Sequence, residues 1–235
     1  MSNNFELITH GKNYLNWNLG SSSLDFFASN FNSGADEIEC DLALSKDNII
    51  CLYHDKDINI GTFTKVDFSN FNLTEIKQVN PRILTLDELI TSFKKKNFIL
   101  ELKNYTNYRV IIEQVNSKYY DCLENIKFVS FSQDALINVK KINPNIYCAY
   151  IATNFNNIFV GESDIEVCLK NRFQEICGLW ITFWPKMIRL ARLKKLKVGL
   201  GIVNSSLSIR YCLNNYADRI YSDNIEGVVE IINKK

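Results

Sequence analysis

The sequence predicts an α/β fold, a closed (βα)8 TIM barrel with a small hairpin insertion after its second strand. Three observations point there. Short runs rich in β-branched and aromatic residues alternate with longer amphipathic runs over the whole of the 235 residues, the alternation yields eight strand-then-helix units, and one polar stretch interrupts it. An open doubly wound sheet usually has fewer strands, so the count favours closure. One domain over 1–235 is expected, because a chain of this length buries an adequate core without disulfides or a structural metal.

The first strand is predicted over 5–10 (FELITH), ending on His10, and a helix over 22–32 follows it. The second, over 36–42 (DEIECDL), alternates charged and apolar residues, so Glu39 and Asp41 share one face while Ile38, Cys40 and Leu42 share the other. Region 43–84 departs from the repeat: "NIICLYHD" reads as an extra strand forming a hairpin with the second, and a polar, turn-rich segment completes the insertion. A helix over 85–95 leads to the third strand, 97–103 (NFILELK), where Phe98, Leu100 and Leu102 alternate with Glu101 and Lys103. Strands over 126–131, 146–151, 177–183, 197–203 and 218–222 follow, with helices over 106–118, 133–141, 163–174, 186–194, 205–215 and 225–233. Loops after barrel strands gather at the C-terminal mouth, where catalytic groups of such barrels sit.

Composition narrows the function. Lys and Arg total 27 against 26 Asp and Glu, which leaves no basic excess for a nucleic-acid backbone. Seven scattered cysteines, none in C-x-x-C spacing, read as reduced core residues of a cytoplasmic protein. The start, "MSNNFELITHG", has neither a basic nor an apolar signal region, and no uninterrupted apolar segment is long enough to span a bilayer, so neither export nor a stable membrane anchor is expected.

The chemistry concentrates at strand ends. Burying an unpaired carboxylate costs several kcal/mol and two side by side repel, yet Glu39, Asp41 and Glu101 are carried by adjacent strands and face the same mouth. A hard divalent cation, Mg²⁺ or Ca²⁺, would resolve the conflict; solvated strand ends or nearby lysines are the alternative. The chain has two histidines, His10 and His54, and both end strands that open on this mouth. Such a pair can act as general base on one side of a phosphorus and general acid on the other.

In order and spacing, His10, "GADEIECD", "LYHD" and "LELK" resemble the strand-one His, "GAD.IE.D", "HD" and "E.K" motifs of the glycerophosphodiester phosphodiesterase family. In the C-terminal half, "VSFSQDAL" and "ADRIYSDNIEGV" are similar to later segments of that family, though more loosely. The resemblance implies a metal held by Glu39, Asp41 and Glu101, catalytic His10 and His54, Lys103 near the phosphate, and hydrolysis of a small-molecule phosphodiester to an alcohol and a phosphomonoester. It leaves open whether water or a substrate hydroxyl attacks first.

Departures bear on the substrate. The family's "HRG" reads "HGK", so Gly11 stands in place of an Arg, and Lys12 is read either as its substitute or as an exposed loop lysine. "PENT" aligns with "GSSS" at 20–23, whose serines are read as helix caps. "W.VN" becomes "GIVN", with Gly201 where an aromatic wall would stand; Trp184 and Phe183 either line the pocket instead or pack internally. Two other functions compete: a weakly catalytic barrel that binds a phosphorylated ligand, and a lyase that forms a cyclic phosphate.

Overall fold

Alternate side chains of a strand face opposite ways, and here that parity builds two cores. The computed structural model describes residues 5–15, 23–61, 64–152 and 158–233. In chain order these form β1 (Glu6–His10), α1 (Ser23–Asn32), β2 (Glu37–Leu44), β3 (Ile50–Leu52), β4 (Asp57–Asn59), β5 (Lys65–Asp67), α2 (Leu73–Val79) and α3 (Leu86–Ser92). There follow β6 (Asn97–Leu102), α4 (Tyr108–Lys118), β7 (Ile126–Ser130), α5 (Gln133–Ile142), β8 (Tyr147–Ile151), α6 (Glu162–Lys170), β9 (Glu175–Leu179), α7 (Pro185–Leu193), β10 (Lys197–Gly201), α8 (Ser206–Asn214), β11 (Arg219–Ser222) and α9 (Ile225–Asn233).

Eight of the strands pair in parallel in the order β1-β11-β10-β9-β8-β7-β6-β2, and β1 pairs with β2 to close the barrel. The outward set, including Ile38, Cys40, Leu42, Phe98, Leu100 and Leu102, packs with the helices as the main core. The inward set forms three tiers. A middle tier of Ile8, Ile99, Val129, Ala149, Cys177 and Tyr221 fills the barrel. Below it, at the strand starts, lies a charged tier: fully buried Arg219 meets Glu175 at 2.7 Å, Glu6 at 3.1 Å and Glu37, while Lys127 also pairs with Glu37. Above it, at the strand ends, lie His10, Glu39, Asp41 and Glu101.

Two expectations are corrected. The strand predicted over 177–183 is β9, Glu175–Leu179, and the helix predicted to 174 stops at Lys170. The reason is shared: Arg172 adopts positive φ and turns the chain, and Glu175 enters the barrel to meet Arg219. The apolar residues after Leu179 then bend into a loop closed by the Thr182 N–H donating to the Leu179 carbonyl at 2.9 Å. The insertion also has more structure than a hairpin and a turn. β3 runs antiparallel to β2, with Leu42 opposite Leu52, and β4, β5 and α2 enclose a separate small core of Ala43, Cys51, Ile58, Phe68, Ile76 and Ile83. All seven cysteines are free thiols, six of them buried.

Candidate active site

Register brings the acids together. β2 lies between β1 and β6, with Glu39 opposite His10 and Asp41 opposite Glu101. All three carboxylates are buried, and one oxygen from each lies within 4.8 Å of the others. A cavity of about 340 Å³ at the mouth is lined by His10, Lys12, Glu39, His54, Glu101 and Lys103, with Gly201 and Tyr221 among its further walls. A second cavity of about 320 Å³, lined by Lys12, Asp41 and His54 among others, adjoins it beneath the insertion. The predicted metal-ligating, histidine and lysine positions therefore meet in one place.

Both histidines are oriented by carboxylates. His10 Nδ1 lies 2.8 Å from Asp223 Oδ1, and His54 Nδ1 lies 2.6 Å from Asp55 Oδ1. Asp223 is itself held: Asn204 Nδ2 donates to its Oδ2 at 2.8 Å, and its own N–H donates to Asn204 Oδ1 at 2.9 Å. Burial alone would lower the His10 pKa, but the Asp223 hydrogen bond and the nearby Glu39 and Asp41 outweigh it and push it up to about 9. Its hydrogen bond with His10 in turn lowers Asp223. The Tyr105 hydroxyl donates to the His54 carbonyl and ties that loop to the end of β6. Sequence reading did not single out Asp223, Asn204 or Asp55; Asp55 directly follows His54, and the other two lie in the "GIVN" and "SDNI" segments, but pairing across 213 residues has no local signature.

The donor set fits a hard cation. Three carboxylates supply oxygen ligands, and buried Glu39 Oε1 has no hydrogen-bond partner among the described residues. Burial and the neighbouring Asp41 raise Glu39 well above the usual carboxylate range. Lys103 offsets part of this charge. Its Nζ lies 2.6 Å from both Asp41 Oδ1 and Glu101 Oε1; burial would lower its pKa, but those two carboxylates raise it.

Gly11 is explained by close approach. A Cβ there would sit 2.0 Å from the Glu39 carbonyl oxygen, while the Gly11 N–H donates to Glu39 Oε2 at 3.2 Å. An Arg side chain has no room at this position of the turn. Lys12 is exposed and borders both cavities. Ser23 opens α1, but its hydroxyl donates to the Arg82 carbonyl at 2.6 Å; Ser21 and Ser22 lie outside the described residues. Phe183 is buried in the barrel–helix core. Trp184 is 60% exposed at the start of α7, its ring centroid 6.1 Å from that of Phe159, and it is not among the described residues lining either cavity.

Residues 10–154, more than half of the chain, match the Glycerophosphoryl diester phosphodiesterase family. The chain belongs to that family. The matched stretch holds His10, Glu39, Asp41, His54, Glu101 and Lys103. A glycerophosphodiester phosphodiesterase of Caldanaerobacter subterraneus subsp. tengcongensis is 27% identical over 145 residues, covering 55% of this chain and 60% of that relative's length. Among solved structures, the glycerophosphodiester phosphodiesterase of Thermotoga maritima aligns with a TM-score of 0.79 and 20% identity over 97% of this chain and 98% of that one. A phosphodiesterase from Oleispira antarctica, solved with the product sn-glycerol-3-phosphate, has a TM-score of 0.79 and 19% identity over 97% of this chain and 96% of that one. These structures share the family barrel across nearly its whole length.

Proposed function

We propose that this member of the family hydrolyses a small-molecule phosphodiester of the glycerophosphodiester type to an alcohol and a phosphomonoester. In this reading Glu39, Asp41 and Glu101 hold a divalent cation, Mg²⁺ or Ca²⁺, and His10 and His54 are the acid–base pair. The observation that carries the reading is the convergence of two carboxylate-oriented histidines and three buried carboxylates on one cavity.

When bound, the cation neutralises the non-bridging phosphate oxygens and makes phosphorus more electrophilic. The remaining work belongs to the chain. Each histidine is anchored through Nδ1, which presents Nε2 as the atom that exchanges a proton. One takes a proton from the attacking oxygen as its bond to phosphorus forms; the other gives a proton to the alcohol oxygen as its P–O bond breaks. Lys103, beside Asp41 and Glu101, and Lys12, at the cavity edge, supply positive charge to the phosphate. Lys12 is a point cation and does not reproduce the paired hydrogen bonds of an Arg. Trp184 serves the outer part of the substrate. A cytoplasmic setting is supported by the free, buried thiols; among the described residues no helix is long and apolar enough to cross a membrane.

Phosphorus NMR of a glycerophosphodiester incubated with the protein and Mg²⁺ or Ca²⁺ tests the reaction. A phosphomonoester is expected to accumulate directly. A cyclic phosphate as the end product would assign the chain to lyase chemistry, and binding without turnover would leave a phosphate-binding barrel.

A further inference from the structure

The chain's net charge of +1 hides a strong asymmetry. Residues 176–217, which hold α7 and α8, carry seven Lys and Arg and no Asp or Glu. All 26 acidic residues lie elsewhere, so the rest of the chain is net acidic. β9, β10 and β11 are neighbours in the barrel, which sets α7 and α8 side by side; across the seam the Tyr211 hydroxyl donates to the Phe183 carbonyl and Arg192 donates to the Tyr216 carbonyl. Lys186, Arg189, Arg192, Lys194, Lys195 and Arg210 are exposed. Two carboxylates from neighbouring elements reach this face: Asp218 meets Arg192 at 2.5 Å, and Glu162 lies 3.9 Å from Lys186. Arg189, Lys194, Lys195 and Arg210 have no ion-pair partner among the described residues.

Helix stability does not account for the face. Bases in a last turn complement the helix dipole, but Lys186 stands in the first turn of α7, where the dipole opposes it, and neither helix has an acid in its first turn. A groove of about 330 Å³ between the helices is lined by Arg189, Arg192, Asn214 and Asn215, with Leu193 and Tyr216 among its further walls. Leu193 and Tyr216, each 74% exposed, and Leu207, 70% exposed, are three of the four most exposed large apolar side chains among the described residues. They are spread out: Leu207 is in the first turn of α8 and Tyr216 follows its end, so roughly 13 Å of helix, with Arg210 on it, separates them.

This combination selects among anionic partners. A nucleic-acid backbone would engage the cations and leave three projecting apolar side chains in water. A protein partner needs a contiguous desolvated centre, whereas here cations separate the apolar groups. An anionic bilayer uses both features, because its surface potential attracts the bases while isolated Leu and Tyr side chains enter at head-group depth. We propose that the α7–α8 face docks this protein reversibly on an anionic lipid surface, with a lipid phosphate in the Arg189–Arg192–Asn214 groove and Leu193, Leu207 and Tyr216 among the head groups. Docking of this kind does not depend on the reaction at the barrel mouth.

Co-sedimentation of the full chain with vesicles tests it, comparing pure phosphatidylcholine with the same lipid containing about 30% phosphatidylglycerol, each at about 0.1 M and about 1 M NaCl. Binding to the anionic vesicles should be at least about tenfold stronger than to the neutral ones at the lower salt, and should be lost at the higher. Arg189→Glu with Arg210→Glu should weaken it at least about tenfold, since each basic residue near the surface is worth about fivefold. Lys94→Glu with Lys95→Glu, at exposed positions just after α3, changes the net charge equally and should leave binding within about twofold. Leu193→Ser with Leu207→Ser should weaken binding roughly fivefold with the charge intact. Thermal unfolding, expected to be unchanged because every position is exposed, confirms that the variants fold. Absence of binding to the anionic vesicles, or binding that the arginine pair weakens no more than the lysine pair, overturns the docking face. Binding unchanged by the serine pair overturns apolar insertion, and with it the choice of a bilayer. Duplex DNA bound in preference to the anionic vesicles, through the same two arginines, would give the face to nucleic acid instead.

Discussion

Lys103 occupies the position on which the site's electrostatics turn. Its ammonium lies 2.6 Å from two of the three buried carboxylates, so it balances their charge, and the proposed reaction puts the phosphate beside it. Removing one partner of a buried ion pair costs about 3–5 kcal/mol. Lys103→Met is therefore expected to lower Tm when measured in EDTA. At equal cation concentration the Tm of the variant should rise more than that of the wild type, because losing the ammonium that repels the cation tightens its binding, and stabilisation grows as RT ln(1 + [L]/Kd). Activity should also fall; a change in kcat/KM below about twofold would make the lysine structural only. His10→Ala and His54→Ala are each expected to lose ~10²–10⁴ in kcat, and the double variant should be little worse than the poorer single one. A diester with a highly activated leaving group, which needs no acid, should rescue one of the two variants and leave the other inactive. Near wild-type kcat in both singles on an unactivated diester would remove the acid–base pair from the mechanism.

At the scale of the strand, one side-chain alternation supplies both stability and chemistry. β1 carries Glu6, Ile8 and His10 inward, and β2 carries Glu37, Glu39 and Asp41, so charge lies at both ends of the barrel with an apolar tier between. This alternation is legible in the sequence at the mouth: the "IECDL" and "LELK" patterns separate Glu39, Asp41, Glu101 and Lys103 from the outward apolar residues. At the barrel floor it is not, because Glu6, Glu37, Lys127, Glu175 and Arg219 each stand near the start of a strand, where an isolated charge is normally solvent-exposed. Only closure brings them together. Burial would raise Glu6, but Lys197, Arg219 and Lys127 outweigh it and lower its pKa. A lowered carboxylate contributes stability that is present above its unfolded pKa and lost as the pH falls through the folded value. Arg219→Met, which strands buried carboxylates, is thus expected to cost about 3–5 kcal/mol near neutral pH, equivalent to roughly 10 °C in Tm for a chain this long. The deficit should narrow in acid as the carboxylates protonate. Thermal unfolding across pH checks this, and a deficit that does not vary with pH would mean the loss is one of packing rather than charge.

For the molecule as a whole, the barrel gathers His10 and the three acids at one mouth because every parallel strand points there, and the antiparallel β3 brings His54 back to the same cavity, so the strand-and-hairpin pattern of the sequence suffices to group them. Two features escape that pattern. The insertion over 43–84 reads as polar and turn-rich because its apolar residues are spaced for a small satellite core, and the loop after β9 reads as strand because its apolar residues resemble a buried run while several of them face solvent. The most direct measurement is calorimetric titration of Mg²⁺ and of Ca²⁺ into the wild-type protein and into Glu39→Ala, Asp41→Ala and Glu101→Ala, with glycerophosphodiester turnover followed over the same cation concentrations. The expected result is one cation per chain, affinity at least about tenfold weaker in each folded variant, a loss of ~1.4 kcal/mol or more, and turnover that rises with cation occupancy and is abolished by EDTA. Unchanged affinity in all three variants, or turnover that persists in EDTA, would contradict a cation held by these carboxylates.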